Sequence, residues 1–486
     1  MLFNSYNFLF IFLPIFFSLI FLLKENLSRK KTCILVIIFS LIFYSFDNYN
    51  FTFLLLFSVI INFFLSKKID KILNRNKKKI FLFLIILFNL IILFYFKYTN
   101  FFIDNINKLS STEFKFANLS LPLAISFFTF QQISFQVDNF RKSRTKNFIS
   151  YLLYISFFFQ LIAGPIIRYK HFLKEAFKKN FLKINSKNLS IGLSIILIGV
   201  FKKIILADTA ALYVDNFLIR FGGGYDVAGL DALLFIIFFS IQIYFDFSAY
   251  CDIAVGIAKI LNFDVPINFN SPYKSVSIID FWKKWHITLS QFFRDYLYIS
   301  LGGNKNTFNT KLVLIIFVMS ICGFWHGASN NFIFWGFIHG VLISINHALI
   351  KLNSTTIKKI PYQLKIIFTF LLVSVAFTFF RVPNISESFQ IILLAFNFSD
   401  YLNNSFFIIE ISNIKKLIMF LSIVIVFFTP NIFQIFDLKL VNVRNIEKNK
   451  LIKFESNIYW LLFNLGLLIS IIFNLGTPST FIYFHF

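Results

Sequence analysis

Apolar runs of about 15 to 25 residues recur from one end of the sequence to the other, and this feature limits the fold most strongly. Such runs are typical of membrane-spanning helices, because backbone groups in a bilayer must bond within their own segment. Hydrophobic residues make up 58% of the 486 and charged residues only 14%. We therefore predict an all-α polytopic membrane protein that forms a single domain over residues 1–486.

The net charge of +25 comes from Lys and Arg in short tracts between the apolar runs, as at 24–31 and 67–79. Basic residues gather in cytoplasmic loops, so we interpret these tracts as orienting helices and exclude nucleic acid as a partner. Their order predicts about twelve crossings with both termini outside the cytoplasm. The run at 148–167 has basic tracts at both ends, which predicts a re-entrant segment broken at Gly164 and Pro165.

The apolar run at 119–137 carries three amides, Gln131, Gln132 and Gln136. Amides inside hydrocarbon need partners, so the side chains either join neighbouring helices or contact a substrate.

Two carboxylates interrupt the apolar run at 230–258. Asp246 lies four residues before Tyr250, and Ser248 lies four residues before Asp252, so a helix places a hydroxyl one turn from each carboxylate. Buried carboxylates cost several kcal/mol unless they are paired or hydrated. Asp246 and Asp252 are therefore either structural anchors or catalytic groups.

Residues 270–331 form a polar, aromatic and basic island that contains two of the six histidines. The spacing of apolar residues predicts an amphipathic helix from Asp280 to Ser300. One face of this helix would carry Trp282, Trp285, His286, Leu289 and Ser290. In the alternative interpretation the helix lies in the interface, where the tryptophans face headgroups and the histidine has no chemical role.

The next apolar run, 312–349, is too long for one crossing and is interrupted at 327–331, so it predicts two helices. Glycines spaced four residues apart predict that these helices pack closely. They are Gly323, Gly327, Gly336 and Gly340. His326 would lie at the end of the first helix, beside the break. His339 and His347 fall on the second helix, where we interpret both as packing or interfacial residues.

His286 and His326 could meet near the membrane interior. A neutral imidazole is suited to take a proton from a hydroxyl that attacks an acyl donor, and a second polar residue could orient the reactants. The sequence contains no serine-nucleophile elbow, phosphate-cradling loop or paired-cysteine metal motif, so we predict no metal site. Buried histidines are also common in ordinary helix packing, so these residues alone support acyl transfer only weakly.

Several blocks of the chain occur in a fixed order. They are LPLAISFFTFQQISFQVD, QLIAGPIIRY, FDFSAYCDIAVG, INFNSPYKSVSIIDFWKKWHITLSQFFRDYLYISLGGNK and GFWHGA. The series resembles the signature of the membrane-bound O-acyltransferase family over about 121–340, and most of all the bacterial branch of alginate and peptidoglycan O-acetyltransferases. The resemblance implies that His326 is catalytic and His286 its partner. Substrate binding or structural support would fall to Asp246, Tyr250, Asp252, Trp282, Trp285, Ser290 and Trp325.

The resemblance also implies a route for the acyl group. A cytoplasmic thioester such as acetyl-CoA would donate it, no cofactor would be bound, and the histidines would line a central pore. The tail FIYFHF is similar to a terminal aromatic motif of this branch, in which a tyrosine, here Tyr483, passes the acyl group to a periplasmic esterase-like transferase. The protein would lie in the bacterial inner membrane and serve an envelope polysaccharide, with peptidoglycan preferred over alginate or another exopolysaccharide.

A non-catalytic transporter or flippase of an acyl or lipid-linked sugar carrier is the alternative. Transporters often contain internal repeats with matching broken helices, and the sequence shows no second copy of GFWHGA or WHITLS. The repeat argument therefore favours the enzyme.

Overall fold

A computed structural model describes residues 1–46, 48–110, 114–117, 119–142, 147–162, 164–352, 359–397, 409–443, 452–476 and 482. These residues contain helices and no β-strand, which confirms the all-α prediction. The helices are α1 Leu13–Leu23, α2 Arg29–Ser45, α3 Tyr49–Asp70, α4 Arg75–Lys97, α5 Thr99–Ser110, α6 Ile125–Arg141, α7 Phe148–Ser156, α8 Phe158–Leu161, α9 Tyr169–Ala176, α10 Ser186–Phe201, α11 Asp208–Gly222, α12 Gly229–Ile260, α13 Ile278–Lys284, α14 Ile287–Phe293, α15 Phe308–His326, α16 Asn330–Lys351, α17 Tyr362–Arg381, α18 Ile385–Ala395, α19 Asn413–Phe428, α20 Ile432–Ile435 and α21 Ile458–Asn474.

Seven helices in the described ranges are long and apolar enough to cross a bilayer. They are α3, α4, the continuous stretch Ser186–Gly222, α12, α15, α16 and α17. Shorter apolar helices cover Asn7–Leu23, Ile385–Ala395 and Ile458–Asn474. The chain is a multi-span membrane protein, and the count of about twelve crossings stays a prediction.

The chain divides into two compact units. The first contains Met1–Ile196 and Cys251–Pro266, and the second contains Leu197–Tyr250 and Ile267–Phe486. Helix α12 supplies residues to both units. The prediction of a single domain over the whole chain is not tested by this division.

Amide side chains join the helices inside the first unit. Gln136 on α6 donates from Nε2 to the main-chain oxygen of Asn62 on α3 over 2.7 Å. Asn62 and Asn89 on α4 exchange hydrogen bonds of 2.9 Å, and Gln132 donates to Ser58 Oγ over 3.1 Å. Gln132 and Gln136 therefore connect helices, which is one of the two roles expected for amides in this run.

The predicted break in the run at 148–167 exists but begins earlier than Gly164. Helix α7 ends at Ser156, because Phe157 leaves the helical region at φ −58° and ψ 115°. The N–H of Phe158 then donates to Ser40 Oγ over 3.3 Å, which satisfies one of the amides exposed by the break.

Candidate active site

Helix α15 packs closely against α16, and His326 is the last residue of α15. A Cβ atom at Gly323 would lie 2.0 Å from the main-chain oxygen of Phe332, and one at Gly336 would lie 2.2 Å from that of Met319. Only glycine permits such an approach, so the predicted glycine contact is confirmed. Gly327 then leaves the helix in an extended conformation, and His326 is the last helical residue.

Aromatic rings surround the His326 imidazole, which is only 4% exposed. Its ring centroid lies 4.9 Å from that of Trp325 and 5.3 Å from those of Trp335 and Phe380. A buried, largely aromatic surrounding of this kind strengthens electrostatic interactions with any group bound beside the imidazole.

The predicted continuous helix from Asp280 to Ser300 is wrong, because α13 ends at Lys284 and α14 begins at Ile287. Between them His286 has φ 40°, in the left-handed region that residues with a Cβ rarely adopt. Main-chain bonds across the break explain it. The N–H of Ile287 donates to the oxygen of Asn268 over 2.9 Å, a bond that a continuous helix would not allow.

The His286 imidazole is 1% exposed and lies outside the helices that are long enough to span a bilayer. Burial lowers its pKa from 6.5 to about 3, so the ring is neutral at physiological pH. Its Nδ1 atom lies 3.1 Å from Asn268 Oδ1, and its ring packs edge-on against Phe247 with centroids 4.7 Å apart.

Trp325 contacts both of the predicted catalytic histidines. Its ring centroid is 6.5 Å from that of His286 and 4.9 Å from that of His326. Two buried imidazoles from segments 40 positions apart thus contact the same indole. Their catalytic roles stay predictions.

The two tryptophans of the predicted amphipathic face have different environments. Trp282 donates from Nε1 to Nδ1 of His339 over 3.3 Å, and His339 is fully buried, so it has the packing role expected of it. Trp285 stacks on Phe281 with centroids 5.5 Å apart. Ser290 is half-buried, and its hydroxyl donates to the Trp285 oxygen over 3.4 Å. All three side chains thus support the segment that carries His286.

A lysine that sequence reasoning missed pairs with Asp246. Lys203 is buried, and its Nζ atom lies 2.6 Å from Asp246 Oδ1 and 2.8 Å from Asp208 Oδ1. The signal was present, since a lysine inside the apolar run 189–206 requires a partner. Tyr250 is also buried, one turn from Asp246 on α12. The ion pair supports an anchoring role for Asp246.

The end of the described chain contacts the same carboxylate. The N–H of Ile482 donates to Asp246 Oδ2 over 2.8 Å, and the Ile482 side chain is 7% exposed. Tyr483, the predicted acyl carrier, lies outside the described residues. Asp252 is buried on α12 within the first unit, and its predicted role is not tested.

Comparison with known proteins identifies relatives along most of the chain. Residues 43–390 match the model of the membrane-bound O-acyltransferase family and include every predicted site residue except Tyr483. A peptidoglycan O-acetyltransferase from Helicobacter pylori is 37% identical over 426 residues, which cover 81% of this chain and 79% of that relative.

Two further relatives have names that give a different polymer. A probable alginate O-acetylase from Pseudomonas aeruginosa is 34% identical over 409 residues, or 82% of this chain and 76% of the relative. A teichoic acid D-alanyltransferase from Bacillus subtilis is 30% identical over 247 residues, or 49% of this chain and 61% of the relative.

A multi-span helical protein with two buried histidines and relatives of this kind is a membrane-embedded acyltransferase. The chain belongs to the membrane-bound O-acyltransferase family, as the family match over residues 43–390 shows. The resemblance inferred from the sequence blocks is thereby confirmed, and the transporter alternative is not supported.

Proposed function

We propose that the protein passes acetyl groups from a cytoplasmic thioester, acetyl-CoA, across the membrane for O-acetylation of an extracytoplasmic envelope polysaccharide. The observation that carries the proposal is the pair of buried histidines that contact the same indole, Trp325. A neutral imidazole can take up and release a proton without the cost of a permanent charge inside the membrane.

His326 is the proposed general base. As the acceptor oxygen attacks the thioester carbonyl, His326 takes the hydroxyl proton, the new C–O bond forms, and the C–S bond breaks. The proton then passes to the departing thiolate, which leaves as CoA thiol, so the histidine is regenerated. His286 would orient one of the reactants. None of these reaction steps needs a cofactor bound to the protein.

The proposed route ends at the C-terminal tail. Tyr483 would accept the acetyl group and pass it to a periplasmic esterase-like transferase, which acts on the polysaccharide. The hydrogen bond from Ile482 to Asp246 supports this idea, because it holds the residue next to Tyr483 in the protein interior. The proposal places the protein in the bacterial inner membrane with both termini outside, which the distribution of basic tracts supports.

Peptidoglycan is the favoured acceptor polymer. The relative that acts on peptidoglycan is 37% identical, against 34% for the alginate relative from Pseudomonas aeruginosa, over similar shares of the chain. The margin is small, and alginate production is the narrower trait, so alginate or another exopolysaccharide is the second candidate.

Alkali-releasable acetate tests both the activity and the acceptor. We expect a deletion strain to lose acetate from its peptidoglycan fraction and not from its exopolysaccharide. His326→Ala, present at normal abundance, should fail to restore acetate, while His347→Ala provides a matched control on α16. Restoration by His326→Ala would refute the assigned chemistry, and full restoration by Tyr483→Phe would refute the relay.

A further inference from the structure

We propose that Asn268 is a positioning residue that fixes His286 as a hydrogen-bond acceptor, with the imidazole proton on Nδ1 and the lone pair on Nε2. The catalytic meaning of this assignment rests on the proposed acyl transfer. Its geometric basis is separate, since it follows from the atoms that surround the buried Asn268 amide.

The other partners of Asn268 identify its side-chain oxygen. The N–H of Thr288 donates to Asn268 Oδ1 over 3.2 Å, and Thr288 Oγ1 donates to the same atom over 3.0 Å. A main-chain N–H can only donate, so the atom that receives it is the oxygen of the amide. His286 Nδ1 lies 3.1 Å from this oxygen. Because the oxygen cannot donate, Nδ1 carries the imidazole proton.

Asn268 also fixes the main chain around His286. The Asn268 main-chain oxygen accepts from the N–H of Ile287 over 2.9 Å, next to the side-chain bonds at Thr288. His286 itself has φ 40°, a conformation that local structure alone would not retain. One residue therefore determines both the orientation of the His286 ring and the tautomer that the ring adopts.

The Nε2 atom of His286 is left as a buried acceptor. It receives no hydrogen bond from the residues that the structure describes. The rings of Phe247, Phe269 and Trp325 contact the imidazole, and none of the three titrates. A group that satisfies Nε2 must therefore bring a proton. The hydroxyl of an acyl acceptor meets this requirement, whereas a thioester carbonyl does not.

The dependence of the rate on pH distinguishes this role from a purely structural one. Asn268→Asp retains an acceptor oxygen but places a negative charge beside Nδ1–H, which stabilises the imidazolium form of His286. For a single turnover, in which the full-length protein in nanodiscs moves the acetyl group of acetyl-CoA to Tyr483 and releases CoA thiol, we expect the acid limb of the release rate to move upward by about one to three pH units.

Asn442→Asp is the matched control. The Asn442 side chain bonds the main chain of Ile267, next to Asn268. The substitution therefore introduces the same negative charge nearby, at a side chain that does not contact the imidazole. We expect its acid limb to stay at the wild-type pH. An unshifted acid limb in Asn268→Asp, together with an unshifted protonation of His286 measured directly, would overturn the positioning role.

A second readout requires no activity. Exchange of the imidazole C2 proton with deuterated water, followed by mass spectrometry, reports the protonation of each histidine. We expect the exchange midpoint of His286 to move to higher pH in Asn268→Asp, while that of His347 stays unchanged. An unmoved His286 midpoint in a folded variant overturns the proposal. A wild-type protein that releases no CoA contradicts the proposed function alone, because the exchange midpoint still decides the role of Asn268.

Discussion

Gly323→Ala tests whether the α15–α16 contact controls the position of His326. The new methyl carbon would lie 2.0 Å from the Phe332 oxygen and 3.0 Å from the Gly336 nitrogen. Carbon atoms normally approach other heavy atoms to about 3.5 Å, so the two helices must separate by about 1 Å or more. Both obstructing atoms belong to the main chain of α16 and cannot rotate away.

The structure sets the size of the effect. Overpacking a close contact of this kind costs about 1–3 kcal/mol. Separation of α15 from α16 is especially costly in a membrane. Lipid is as apolar as the side chains, so the association of the two helices depends on close packing. His326 follows Gly323 by one helical turn, so the displacement reaches the imidazole. A misplacement on the order of 1 Å can reduce turnover on the order of 100-fold.

Thermal unfolding of the detergent-solubilised protein and acetate transfer per folded molecule measure the two effects. Gly466→Ala on α21 makes the same chemical change where no atom lies within 4 Å. We expect this control to keep its activity and to gain up to about 1 kcal/mol from helix propensity. If Gly323→Ala matched the control in both measurements, the close approach of α15 and α16 would be refuted.

Three further predictions concern buried polar groups. Lys203→Met should lower stability by about 3–5 kcal/mol because it leaves two carboxylates without their shared cation, and addition of Asp246→Asn should recover part of the loss in thermal unfolding. Asn62→Leu should cost about 1–3 kcal/mol by removing both hydrogen bonds between the Asn62 and Asn89 side chains, with unchanged transfer per folded molecule. Burial alone would lower the pKa of Lys178, but its two carboxylate partners outweigh burial and raise it. The stability that the charged Lys178 side chain adds to the folded protein is fully present below its unfolded pKa, and it is lost as pH rises through the higher folded pKa. Lys178→Met should therefore reduce the decline of the melting temperature at alkaline pH.

Residue spacing was sufficient to predict the parts of the site that depend on one helix and its neighbour. The glycines four residues apart predicted the close contact of α15 with α16, and the polar interruption after Gly327 predicted that His326 would end a helix. Both features are local, since a repeat along one helix determines which face another helix can approach.

Contacts between distant segments could not be predicted in the same way. Periodicity placed His286 on a continuous helix with Trp282 and Trp285. Instead, Asn268, 18 residues earlier, bonds the His286 side chain and the main-chain N–H of Ile287. Lys203 likewise pairs with Asp246 from a separate run. Spacing indicates that a buried charge needs a partner, but it does not indicate which segment of the chain supplies one.

The residue type at position 286 is better explained by chemistry than by folding. A main-chain φ of 40° favours glycine or asparagine, because a Cβ with larger substituents is strained there. Histidine nevertheless occupies the position, with Nδ1 bonded to Asn268 and Nε2 buried among aromatic rings. A fold that required only a break between α13 and α14 would gain from a less strained residue. A strained conformation at a buried imidazole is therefore an observation that agrees with the proposed part of His286 in the transfer reaction.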